Sequence, residues 1–172
     1  ITTSPVEKMH VFGTPEELYF YKKNVIKRLG DKPIALCADH SGFQAKEEMK
    51  RLLTDMQLSF IDFGTIVDRE CNYKDHIGQA TRAIVEGECD FAFGFCRTGQ
   101  GVNMCANKFK GIRSALIYDS HAMEMAIRHN CANFFAIPTK NFDPQEIKEF
   151  LSIALSTTFD GGRHQLRVQE IE

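Results

Sequence analysis

The sequence predicts an α/β domain: a doubly wound sandwich of helices on a five-stranded parallel sheet. Two observations carry this. From about residue 33, short apolar runs alternate with amphipathic, helix-like segments over short links, a pattern that implies parallel strands joined by right-handed crossovers. The third of these runs, CDFAFGF (89–95), is apolar on both faces, as the interior of a parallel sheet requires.

The elements follow in order. PIALCAD (33–39) is a strand opened by Pro33, and FQAKEEMKRLLTDM (43–56) sets Phe43, Met49, Leu52, Leu53 and Met56 near helical spacing. LSFIDFG (58–64) is a second strand, and KDHIGQATRAIVEG (74–87) a helix closed by Gly87. After the third strand, VNMCANK (102–108) can begin a helix. IRSALIY (112–118) is a fourth strand, SHAMEMAIRHN (120–130) a helix and NFFAIPT (133–139) a fifth strand. DPQEIKEFLSIALST (143–157) opens with Asp143 as N-cap and Pro144 in the first turn.

Two segments stand outside the alternation. Residues 1–32 hold TPEELYFYKKNVIKRLG, with Thr14 as N-cap and Gly30 at its end, and read as a helical extension. Residues 159–172 form a tail in which Arg163 and Arg167 stand four apart, on one face if the tail is helical. The main domain is then 33–158.

The 172 residues suffice for one domain with a sizeable core. With 21 Lys and Arg against 23 Asp and Glu, the net charge is −2, and no basic run suggests a nucleic-acid partner. No apolar stretch reaches the ~20 residues of a membrane span. The opening ITTSPVEKMH lacks the apolar centre of a secretory signal, so a cytoplasmic location is expected. The six cysteines show neither Cys-x-x-Cys pairs nor zinc spacing, and read as free thiols of a reducing compartment. Cys37, Cys89 and Cys105 read as buried small apolar residues.

Open α/β sheets bind ligands beyond the carboxyl ends of their strands, which directs attention to CRTGQG after the third strand. A Walker loop would need Lys and Ser/Thr after Gly99, where Gln100 and Gly101 stand. A dinucleotide fingerprint would need a small residue where Met104 stands, and a cysteine phosphatase would need Arg where Val102 stands. What remains is Cys96 at a strand end, followed by a small-residue loop that opens a helix. Main-chain N–H groups there can hold an anion or developing oxyanion. The helix dipole and Arg97 favour a thiolate, and Thr98 adds a hydroxyl. Cys96 is then either a packed strand-end residue or a base. Asp39 is a helix cap or a catalytic group, His129 a capping histidine or an acid, and the arginine pair a solvated face or an anion clamp. Taken together they suit proton transfer on a phosphorylated carbonyl compound.

The segments ALCADHSGFQAKEEMKRLL, IDFGT, FCRTGQGVNMCANKFKGIRSAL, RHN and GGRHQLRV, in this order, resemble ribose-5-phosphate isomerase type B, a family that includes the galactose-6-phosphate isomerase subunits. The resemblance spans about residues 33–170. It implies a three-layer, Rossmann-like α/β/α fold and a homodimer or pair of dimers with active sites shared between chains. It also implies aldose–ketose isomerisation of a sugar phosphate through an enediol(ate), without metal or cofactor. Cys96 is then the base, Thr98, Gly99 and Gly101 line the oxyanion loop, and Gln100 contacts the substrate. His129 assists ring opening. Asp39, His40, Tyr73 and Asn130 contact the sugar, with His40 near the phosphate that Arg163 and Arg167 hold.

The chain departs from the family pattern in three places. Arg97 replaces the first glycine of a Gly-Thr-Gly loop, where it narrows the pocket or adds a ligand contact. Lys140 stands where many members have Arg, which keeps the charge but loses the bidentate fork. Asn72 and Lys74 flank Tyr73 in place of Asp and Pro. The expected substrate pair is ribose 5-phosphate and ribulose 5-phosphate. The alternatives are a six-carbon sugar phosphate of the galactose or allose type and a non-catalytic sugar-phosphate-binding homologue. A flavodoxin-like module lacks a cofactor fingerprint.

Overall fold

The computed structural model describes residues 31–67, 71–141 and 143–171. The helix expected before Gly30 lies outside them. Strands β1 (Ile34–Ala38), β2 (Phe60–Asp62), β3 (Ala92–Cys96), β4 (Ser114–Leu116) and β5 (Phe134–Pro138) form one sheet. Its order is β2-β1-β3-β5-β4, and every pairing is parallel. The helices are α1 (Phe43–Asp55), α2 (Tyr73–Val85), α3 (Gln100–Ala106), α4 (Ser120–Arg128), α5 (Pro144–Ser156) and α6 (Arg163–Glu170). This is the Rossmann-like α/β/α sandwich that the alternation predicts. Among the described residues, no helix is long and apolar enough to cross a membrane.

The alternation of side chains along β3 builds two unequal cores. Phe93 and Phe95 face α1, α4 and α5 in a cluster with Leu36, Met49, Phe135 and Leu151, where each aromatic ring buried contributes about 1.5–3 kcal/mol. Ala92 and Cys96 face the other way, towards α2 and α3, with Cys37, Ile77 and Val102. The small residues on this second face let α3 lie close over the end of β3.

The cap expected at Asp143 is present, its side chain accepting from the Gln145 amide, and Gly87 takes φ +75 after α2. Asn72 and Asp119, not singled out in the sequence, cap α2 and α4 in the same way, accepting from the Lys74 and Ala122 amides. Strand limits differ from expectation. The edge strands β2 and β4 keep only three residues each, since a strand with one neighbour loses its ladder as soon as that neighbour diverges. β3 begins later and includes Cys96, because Cys89 N is bound by the Ala83 carbonyl in the turn after α2. All six cysteines are free; Cys37 and Cys89 are buried, but Cys105 is only half-buried, for it faces the open groove between α2 and α3.

One buried charge braces the first crossover. Lys46 on α1 is 0% exposed and binds Asp62 at the end of β2, while Lys50 and Glu47 complete the network at the surface. Burial pushes the Asp62 carboxyl up, but Lys46, the Gly64 amide and Lys50 together hold it below the usual carboxylate range.

Candidate active site

At the carboxyl edge of the sheet, three central strands end side by side. Asp39 closes β1, Cys96 ends β3 and Lys140 follows β5. The main chain locks them together: Asp39 N donates to Phe95 O at 3.1 Å, and Thr139 N and Lys140 N donate to Cys96 O and Arg97 O, each at 3.0 Å. Thr139 Oγ1 also donates to Ser41 O at 3.0 Å, which joins the turn after β1 to the end of β5.

Asp39 Oδ1 accepts from Gly42 N at 3.0 Å and from Ser41 Oγ at 2.6 Å, so the carboxylate caps the short turn His40–Gly42. A Cβ on Gly42 would lie 2.4 Å from the Phe95 carbonyl oxygen; only glycine lets the turn reach β3. His40 stands exposed on that turn.

Cys96 is 5% exposed. Arg97, Thr98 and Gln100 beyond it are exposed, and Thr98 Oγ1 accepts from Gln100 N at 3.4 Å. Gly99 takes φ +70 as N-cap of α3, with Leu116 Cδ1 2.4 Å from where a Cβ would be. The left-handed backbone is what favours glycine there. Gly101, in the first turn of α3, lines a cavity of about 740 Å³ with Lys74, Arg82, Met104, Cys105 and Phe109. Tyr73 opens α2, on the crossover that leaves the same edge of the sheet.

The remaining candidates lie at the opposite edge. His129 caps the C-terminus of α4, and the chain then enters the start of β5. Asn130 lines a second cavity, of about 590 Å³, with Arg113, Ser114 and Ala115 at the start of β4. Since Cys96 pairs in register with Pro138 at the far end of β5, the length of that strand, ~13 Å at about 3.3 Å per residue, separates the two groups. The tail joins the His129 side. Arg163 and Arg167 are both exposed on α6, whose inner face buries His164 and Val168.

His164 is the group that the sequence reading missed. Its ring stacks on His129 with centroids 4.2 Å apart and planes 4° from parallel. Asp160, bound by Arg128 Nε at 3.1 Å, lies 4.0 Å from His129 Nε2. Burial holds His164 below the usual imidazole range, His129, Arg163 and Arg167 push the same way, and Asp160 opposes them. A histidine beside Arg163 in a charged tail gives no signal of burial in sequence.

One chain therefore gathers Asp39, His40, Cys96, Arg97, Thr98, Gly99, Gln100, Gly101 and Lys140 at one edge, with Tyr73 on the crossover beside them. His129, Asn130, Arg163 and Arg167 gather at the other. An open α/β sheet with an acid, a thiol and a glycine-bearing loop at its carboxyl edge is the frame of a small-molecule enzyme. Residues 34–171 match the family model described as Ribose/Galactose Isomerase, and the chain belongs to that family. It is 32% identical to ribose-5-phosphate isomerase B of Escherichia coli over 140 residues, 81% of this chain and 94% of that one. Among solved structures, a ribose 5-phosphate isomerase from Thermotoga maritima superposes with a TM-score of 0.79 at 33% identity, covering 81% of this chain and 97% of that one. The type B enzyme of Trypanosoma brucei gives 0.77 at 29% identity, covering 81% and 96%.

Proposed function

We propose that the protein interconverts ribose 5-phosphate and ribulose 5-phosphate. The observation that carries the reading is the position of Cys96: the last residue of the central strand, beneath a glycine-bearing loop that opens α3. Family membership supports the same conclusion.

In the forward direction the Cys96 thiolate removes the proton from C2. The C–H electron pair forms the C1–C2 double bond, and the carbonyl oxygen at C1 takes the negative charge. The Thr98 hydroxyl and the Gly99 and Gly101 amides stabilise that oxygen, as oriented donors do. The proton of the C2 hydroxyl passes to the C1 oxygen, the C2 oxygen becomes the ketone carbonyl, and the electron pair of the C1–C2 double bond takes the proton back from Cys96 at C1. Asp39, His40, Tyr73 and Gln100 contact the sugar. Arg97 and Lys140 add positive charge at the rim.

His129, Asn130, Arg163 and Arg167 enter this scheme from a second copy of the chain, since within one copy they lie at the far edge of the sheet. His129 donates a proton to the ring oxygen during opening, Asn130 contacts the sugar, and the two arginines hold the phosphate. The active assembly is a homodimer, or a tetramer built from dimers, with two shared sites per pair. Met104, 60% exposed beside the Gly101 cavity, provides apolar surface for the second copy.

A six-carbon sugar phosphate is the second reading, favoured by Arg97 and Lys140, which alter the rim of the pocket. Steady-state assays on one preparation with ribose 5-phosphate, galactose 6-phosphate and allose 6-phosphate separate the two. The highest kcat/KM is expected for ribose 5-phosphate. Binding of the sugar phosphates without conversion of any would overturn the catalytic reading in favour of a sensor.

A further inference from the structure

Between the end of α4 and the tail helix lies a buried ring for which the proposed chemistry has no use. His164 is 8% exposed, and its plane lies 4° from that of His129 at 4.2 Å. Arg163 Nε donates to His164 Nε2 at 3.4 Å. A guanidinium stays protonated and can only donate. Nε2 therefore accepts, and His164 is the neutral tautomer that carries its proton on Nδ1.

The charged groups around the ring come from three segments. α4 brings His129 at its cap, with Arg128 and Glu124; the link to the tail brings Asp160; α6 brings Arg163 and Arg167. Arg128 holds Asp160 at 3.1 Å and Glu124 at 3.0 Å. Two imidazolium rings stacked at this separation would repel, which a neutral His164 avoids. One buried ring thus touches both the residue read as the ring-opening acid and a residue read as the phosphate clamp.

We propose that His164 is a positioning residue with two arms: its flat face sets the plane of His129, and its Nε2 sets the guanidinium of Arg163. The inference rests on the roles given to His129 and Arg163 under the proposed reaction. A histidine at a helix end has two free side-chain torsions, and a misplacement of about 1 Å can cost on the order of 100-fold in rate; a ring stacked on it removes that freedom. Protonation of His164 would abolish the Nε2 acceptor and place like charges in the stack, so both arms fail as pH falls through its titration, below the usual imidazole range.

The two arms come apart in two substitutions of the full chain. His164→Phe keeps the flat face and loses the acceptor. His164→Gln keeps an acceptor near Nε2 and loses the face. Kinetics with ribose 5-phosphate are compared with calorimetric binding of inorganic phosphate, and thermal midpoints confirm that each variant is folded. For His164→Phe, we expect kcat within about twofold of wild type and KM raised roughly tenfold, with phosphate binding weakened in step. For His164→Gln, we expect kcat reduced roughly tenfold with KM little changed. The acid limb contributed by His164 disappears in the Phe variant. Equal losses in both parameters for both variants, or no loss in either, overturn the proposal. If the wild type converts no sugar phosphate, it is the proposed reaction that fails. The phosphate titration then still decides: unchanged binding in His164→Phe contradicts the arm to Arg163.

Discussion

At the carboxyl edge of the sheet the candidate residues are fixed by main chain, and at the opposite edge by side chains. Asp39, Cys96 and Lys140 stand on adjoining strand ends tied by the Asp39–Phe95, Thr139–Cys96 and Lys140–Arg97 hydrogen bonds. His129 and Arg163 are instead held by a stacked ring, a hydrogen bond from Arg163 to that ring and the Arg128–Asp160 pair. The first half is rigid wherever the sheet is intact. The second depends on a short tail helix. Under the proposed reaction this is a division of labour, in which the sheet would position the reacting carbons and the tail of a second copy would supply charge.

The largest effect that sharpens this contrast is expected at Cys96. Cys96→Ala should lower kcat by more than ~10³-fold, since it removes the proton carrier, while inorganic phosphate binding stays within about twofold. Loss of both together would mean that the two halves are not separable. Next comes the brace under the main-chain half. Asp62→Ala leaves the half-exposed Glu47 to hold the buried Lys46 charge and should cost about 3 kcal/mol in denaturant unfolding at pH 7. The folded-state carboxyl of Asp62 is held low. Its stabilising contribution is therefore present above the ordinary carboxylate value of about 4 and is lost as pH falls through the lower folded value. The difference between wild type and Asp62→Ala should shrink only in that acid window. Smallest is Arg163→Ala, expected to raise KM roughly tenfold with kcat nearly unchanged, the signature of lost phosphate binding.

The main-chain half was also the legible half. CDFAFGF followed by CRTGQG announces a buried strand that ends in a turn, because apolar runs and glycines act locally. The caps at Asn72, Asp119 and Asp143 are equally local, and Asp143 was read in advance. The limits of β2 and β4 were not, since a three-residue edge strand is set by where its neighbour diverges. The stack of His164 on His129 joins residues 35 apart in sequence, and nothing near either one signals it. The distance of His129 from Cys96 within one chain had a trace in the pattern. A parallel sheet returns each helix to the starting edge, so a histidine at the end of 120–130 could not share an edge with Cys96.

The central claim is that one working site takes Cys96 from one copy and His129 from another. It is tested most directly by mixing Cys96→Ala and His129→Ala chains, each nearly inactive alone, by co-refolding or co-expression. Random reassortment of a symmetric dimer makes about half the pairs hybrid with one intact site in two, so activity should recover to about a quarter of wild type. A mixture that associates and folds yet stays inactive would contradict it.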